Sequence, residues 1–438
     1  MEWSVLKIKR KPLLALVSLV LAAALVAAGC SPGGVGKAAG IGLEPEGPGH
    51  PVELNEDLAE AQLRFGLNLY RALADQDDGG DDNVFISPTG IALALAMTYN
   101  GARNETARAM AEALQVDAMD LETFNEANYA LIQALVEAAD AEDNVELRIA
   151  NALWQREGAA FYDDFLTRNR QYFGAPVEAM DFDDPATVDA INNWVSEQTS
   201  GRITELISDI SPETVLFLIN AIYFKGSWSE PFDPELTAQA DFHLSGGGTI
   251  PVFMMNQDGT FAHYAGDGFQ GIRLPYGDEG RLAMYVFLPD EDRGLADFNE
   301  LLTAENWRQW QTGFAEKYGQ VSLPRFQLNY KTSLRSALEQ LGMGIAFDRD
   351  QADFGGMAPI GPGHNLFISN VVHETFLLVN EEGAEAAGAT AVEVGVTSLI
   401  QPSFTFVADR PFFVAIQDDE TGALLFAGAV SHPEPVME

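Results

Sequence analysis

Residues Glu381–Pro411 read EEGAEAAGATAVEVGVTSLIQPSFTFVADRP. An apolar run from Leu366 to Val379 precedes this stretch, and two more, Phe412 to Gln417 and Leu424 to Val430, follow it. All three have the composition and length of strands. Between them lie the small side chains of Ala384 to Thr390, then a β-branched segment with no strong turn residue until Pro402. That composition suits a loop that can also become a strand, and the rest of the chain is read outward from it.

The N-terminus has a different character. Lys7, Lys9, Arg10 and Lys11 precede an apolar run from Leu13 to Ala28, which is short for a bilayer span and suits a signal peptide. The run ends in small residues before Cys30, the single cysteine of the chain. This arrangement resembles the bacterial lipoprotein signal, which implies a signal peptide over 1–29 and lipidation of Cys30. Ala27 stands where that signal most often has leucine. Residues 30–52, rich in Gly and Pro, read as a flexible tether, and 53–438 as one domain. The resemblance implies an exported protein, lipid-anchored to a bacterial membrane at the cell surface or facing the periplasm. An exported domain whose sole cysteine carries lipid has no disulfide and is held by its core.

The chain has 438 residues, 47% of them hydrophobic, and a formal net charge of −40. Without the first 29 residues the charge is near −43, and four lysines remain: Lys37, Lys225, Lys317 and Lys331. So acidic a surface argues against nucleic acid or another polyanion as partner.

Helical periodicity dominates the first half. It covers Leu54–Ala74, Thr89–Met97 (apolar almost all round and so buried), Asn104–Leu114, Asp120–Ala139, Phe161–Phe173 and Pro185–Ser200, with strands at Val84–Ser87 and Val145–Trp154. Strand patterns dominate the second half: Val215–Phe224, Thr249–Met255, Gly271–Pro275, Leu282–Pro289, Val321–Leu328 and Leu366–Val379, then the two closing runs. Short helices are predicted at Gly294–Leu302 and Leu334–Leu341. Helices and strands segregate rather than alternate, which predicts an α+β domain.

Catalytic chemistry finds no footing. The six histidines are scattered, no G-x-S-x-G elbow or H-E-x-x-H occurs, and no Cys/His spacing suits a metal. A glycosidase-like carboxylate pair is left open by sequence, but no enzyme, cofactor or metal is expected.

Several blocks, in order, resemble the serpin family: NVFISPTGIALALAMTYNGARNETARAM, LINAIYFKGSWSEPF, VFMMNQDGTFAHY, LPYGDEGRLAMYVFLPDE, VSLPRFQLNYKTSLRSALEQLGM, VHETFLLVNEEGAEAAGATAV and ADRPFFVAIQDDETGALLFAGAVSHP. Together they run from about Asn55 to Pro433. The resemblance implies three β-sheets, eight or nine helices and an exposed reactive-centre loop, here about 381–404. It implies a monomer that inhibits serine proteases, sometimes cysteine proteases, as a suicide substrate. The alternative is a non-inhibitory serpin acting as a surface binding protein.

In an inhibitor of this kind the cleaved loop enters the main sheet. With Ala384 facing inward, as the family's hinge does, Ala386, Gly388, Thr390, Val392 and Val394 share its face. Glu385, Ala387, Ala389, Ala391 and Glu393 then face solvent, and a one-residue slip would bury both glutamates. The hinge comprises Glu381, Gly383, Ala384, Glu385, Ala386, Ala387, Gly388, Ala389 and Thr390, with Gly383 where the chain pivots. In the family's usual register the scissile bond joins Thr397 and Ser398. A small β-branched residue there suits elastase-like or subtilisin-like enzymes. The resemblance also places Ser87, Asn220 and His373 in a hydrogen-bonded cluster where the sheet opens, with Gly90 replacing a usual serine, and Trp228 at the insertion entrance. Ala384→Arg is expected to convert inhibitor into substrate, read as loss of the covalent protease complex; complex formation at the wild-type rate would refute insertion.

Overall fold

Apolar periodicity is converted into structure mostly where predicted. The computed structural model describes residues 44–76, 82–142, 144–359, 365–384 and 401–436, all within one compact unit, Gly40–Glu438. Cys30, Glu385, Ala386, Ala387, Gly388, Ala389, Thr390, Thr397 and Ser398 lie outside the described residues.

The helices are α1 (Glu56–Ala74), α2 (Pro88–Tyr99), α3 (Asn104–Ala113), α4 (Leu121–Asp140), α5 (Asp163–Phe173), α6 (Ala186–Gln198), α7 (Leu295–Leu301) and α8 (Ala304–Gly313). Two short pieces, α9 (Arg335–Leu338) and α10 (Gly344–Phe347), flank a π-helical turn. The strands are β1 (Val84–Ile86), β2 (Val145–Arg156), β3 (Val177–Met180), β4 (Leu216–Ser227), β5 (Ala238–His243), β6 (Thr249–Ala265), β7 (Phe269–Pro275) and β8 (Leu282–Pro289). They continue with β9 (Ala315–Pro324), β10 (Phe326–Ser333), β11 (Val372–Asn380), β12 (Gly383–Ala384), β13 (Phe404–Val407), β14 (Phe412–Asp418) and β15 (Leu424–Val430).

Among the described residues the strands form two hydrogen-bonded sheets. The larger runs β1-β15-β14-β8-β7-β6-β9-β13, with β5 on β6; the smaller runs β10-β11-β12-β4-β2-β3. Two of the three expected sheets are thus joined, because β6 is long enough to pair with β5 at one end and β7 at the other, and with β9 along its length. The central strands β8, β14 and β15 are buried at every position.

Three strand readings need correction. Val321–Leu328 is two strands in different sheets, broken after Pro324, whose ring supplies no N–H to a ladder. The run from Leu366 becomes a strand only at Val372; Leu366 to Val371 is apolar because it lines a cavity, not because it pairs. The predicted strand Thr249–Met255 continues to Ala265 through polar residues. The short strands β3, β5 and β13 and helix α8 carry too little periodicity to have been read.

Helix α2 explains how the smaller sheet is carried. Ser87 caps it, accepting from the Gly90 N–H at 3.2 Å, and Pro88 opens its first turn. Nearly the whole helix is buried beneath the sheet, where Ile91, Leu93 and Leu95 join the main core. On the other face, α6 packs Ile191, Trp194 and Val195 against Ala150, Ala152, Ile219 and Ala221 of β2 and β4. β4 is therefore sandwiched, which accounts for its continuous apolar sequence.

Candidate functional site: a strand-wide opening and its hinge

In the smaller sheet, β4 and β11 share no pairing with each other among the described residues; β12 alone joins them. Ala384 lies opposite Val379 of β11 and Gly226 of β4, and Gly383 opposite Asn380 and Ser227, antiparallel to both. Among the described residues no further pairing joins β4 and β11. A cavity of about 220 Å³ follows that opening, lined by Leu218, Asn220, Ile368 and His373, with Leu334 and Phe354 at its floor. Unpaired strand edges are an open template for another strand.

The two seated residues show why the hinge has this sequence. Ala384 is fully buried and packs in the cluster holding Phe224, Leu377 and Val379. Gly383 has φ of +148°, and a Cβ there would collide with the Gly226 carbonyl oxygen. Only glycine fits so close an approach of two backbones.

The turn before them is fastened. The Asn380 side-chain oxygen accepts from the N–H groups of Glu382 and Gly383 at 3.0 and 3.1 Å. Trp228 donates from Nε1 to the Asn380 carbonyl at 3.0 Å, and its backbone N–H to the Glu382 carbonyl at 2.9 Å. Its ring stacks on Tyr276 with centroids 4.5 Å apart. Glu381 is buried and accepts from Thr237 Oγ1 at 2.6 Å and from the Arg325 guanidinium. Burial pushes its carboxyl pKa up, but the hydrogen bonds from Arg325 and Thr237 outweigh this and hold it below the ordinary value. Glu381 is thus a fixed post, and the chain turns between it and Gly383.

Deeper in the opening, His373 accepts through Nε2 from the Ser87 N–H at 3.0 Å, while Ser87 Oγ donates to the Leu425 carbonyl at 2.7 Å. Asn220 sits near them but bonds elsewhere, donating to Asn151 Oδ1 at 2.9 Å. A Cβ at Gly90 would collide with the Asn220 side-chain oxygen, so the missing side chain makes room for it. The His373 ring lines the cavity, and desolvation pushes its pKa down to about 3. Asn380, Arg325, Thr237 and Tyr276 were not picked out from sequence. They are ordinary residue types whose roles arise from contacts far apart in the chain, although Arg325, beside Pro324 in an acidic chain, was a faint signal. Among the described residues no group of three or more His, Cys, Asp or Glu side chains could hold a metal ion.

A neutral His373 gives a signed pH dependence. The unfolded ring takes a proton below its ordinary 6.5, while the folded ring resists until about 3. Its contribution is therefore fully present above pH 6.5 and is lost on acidification between those values, at up to about 1.4 kcal/mol per pH unit. In denaturant unfolding from pH 7 to 4, His373→Gln should show a shallower acid loss than wild type; equal slopes would contradict this.

Comparison with known proteins gives a consistent result. The family model "Serpin (serine protease inhibitor)" matches residues 60–433. The leukocyte elastase inhibitor of Homo sapiens is 36% identical over 398 residues, covering 86% of this chain and all of the relative. The crystal structure of the thermophilic serpin tengpin in its native state superposes with a TM-score of 0.78 at 30% identity, covering 87% of this chain and 96% of that one. Human thyroxine-binding globulin gives a TM-score of 0.75 at 26% identity, covering 86% and 98%. With a family match across most of its length and the fold to go with it, the chain belongs to the serpin family.

Proposed function

We propose that the protein is a suicide-substrate inhibitor of serine proteases with small or aliphatic specificity, and that it traps the acyl-enzyme by inserting its cleaved loop between β4 and β11. The observation that carries this reading is that, among the described residues, β4 and β11 are bridged only at one end, by Gly383–Ala384. Extending that pairing puts Ala386 between Leu377 and Phe224, Gly388 between Thr375 and Ile222, and Thr390 between His373 and Asn220. Every inward position so reached is small or β-branched. Glu385 falls on the outer face beside Lys225, one of the few lysines. About a dozen inserted residues, each gaining roughly 0.5–1.5 kcal/mol of ladder hydrogen bonding, amount to on the order of 10 kcal/mol before entropy and strain. That makes the inserted form the energetic sink.

The acyl-enzyme is caught because insertion outpaces deacylation and carries the bound protease away from the loop's original position. The Thr397–Ser398 bond suits an elastase-like or subtilisin-like pocket. The test is stoichiometric incubation with such enzymes, followed by denaturing electrophoresis and mass spectrometry. A heat- and SDS-stable adduct with cleavage after Thr397 is expected. Turnover of the loop without an adduct would favour a non-inhibitory binding protein instead. We further propose attachment to a bacterial membrane through lipidated Cys30, so that Cys30→Ser should move the protein from the membrane fraction to the soluble fraction; an unchanged distribution would contradict this.

A further inference from the structure

The far end of the loop is held by β13, a short edge strand of the larger sheet. It has four residues, lies at the sheet edge and pairs in parallel with β9 alone. Its first residue, Phe404, lies over Gly319, where a Cβ would collide with the ring. Phe404 also stacks on His263, with centroids 4.1 Å apart and planes at 24°. The imidazole is thus part of the surface on which the strand rests.

His263 is 4% exposed. Its Nε2 lies 3.1 Å from Gln270 Oε1 and its Nδ1 3.3 Å from Lys317 Nζ. An ammonium group can only donate and a carboxamide oxygen can only accept. The neutral ring protonated on Nε2 satisfies both partners, and the imidazolium cannot. Strand register identifies the other groups on this face: Ala315 and Gly319 from β9, Gln270, Ile272 and Leu274 from β7, Phe261 and Ala265 from β6, and Phe404 and Phe406 from β13. Lys317 is the one charged group among them. Asp258, Arg273 and Glu316 occupy alternate positions and project from the opposite face. Among the described residues that the strand register places on this face, none is a carboxylate that could receive a second cation. Burial holds the ring's pKa below its ordinary value; the hydrogen bond to Gln270 opposes this, and Lys317 adds a smaller lowering.

We propose that His263 is an acid-sensitive clamp on β13. At neutral pH the ring bridges Gln270 and Lys317 and presents its face to Phe404. A proton taken from solvent at Nδ1 sets two cations against each other, breaks the bond to Lys317 and turns the ring out of its stack. β13 then loses its support and separates from β9, freeing the C-terminal anchor of the loop. Release of the strand stands on this geometry alone; its effect on inhibition rests on the loop reading above.

The test is backbone hydrogen exchange by mass spectrometry on the whole protein at pH 7.5 and 5.0, corrected for the pH dependence of intrinsic exchange. Protection over Phe404–Val407 should fall at least tenfold at pH 5.0 relative to β14 in the same molecule. The comparison with β14 removes the general acid loss from His373. In His263→Gln the two strands should keep the same relative protection at both pH values. Lys317→Met, which removes the repulsion but keeps the ring, should reduce the acid effect at least threefold and serves where the first variant fails to fold. An unchanged wild type, or an equal loss in His263→Gln, overturns the clamp. If exchange responds as expected but adduct formation at neutral pH is never observed, the clamp stands and the inhibitor reading falls.

Discussion

Among the described residues, β4 and β11 of the smaller sheet are joined only through Gly383 and Ala384. β4 is covered on both faces, by α2 below and α6 above, and among the described residues its edge toward β11 pairs with Gly383 and Ala384 alone. β11 is in the same position on the other side. Two facing edges that lack a partner are costly to maintain, because backbone groups lose solvent without gaining a ladder. The rest of the domain holds those edges apart and in register. The larger sheet and the helix layer provide a rigid base, and Gly383 and Ala384 sit like the first teeth of a zip.

The polar groups around the opening follow from that arrangement. His373 and Ser87 bond to each other rather than across to β4, and Asn220 bonds back to Asn151. Among the described residues these groups bond on their own side of the sheet rather than to each other across it. The hinge is treated oppositely. Glu381, Arg325, Thr237, Asn380 and Trp228 form a connected set of bonds around one turn. This fastened turn fixes the place and direction in which the chain enters the sheet at Gly383 and Ala384.

Much of this was legible in the chain itself. The long helices α1 to α6 and the apolar strands β8, β14 and β15 appear where periodicity predicts them, because burial on one face or both leaves a regular mark. The inward face of the hinge could be assigned from Glu385 and Glu393, since their shared parity disfavours the other register; of the inward residues, Ala384 alone lies among the described residues, and it is buried. The boundary at Pro324 was misread because two apolar runs in different sheets abut in sequence. The opening was invisible, since an unpaired apolar segment such as Leu366–Val371 has the composition of a strand. The fastening of Glu381 was hidden for another reason: an isolated arginine or asparagine carries no pattern until the fold brings its partner near.

The most direct test of this account is a crystal structure of the protein after its loop has been cut at Thr397. Continued pairing from Ala384 requires a full strand between β4 and β11, with Thr390 between Asn220 and His373 and with Glu385 on the outer face beside Lys225. No strand between β4 and β11 after cleavage, or a strand displaced by one residue so that the glutamates point inward, would contradict it.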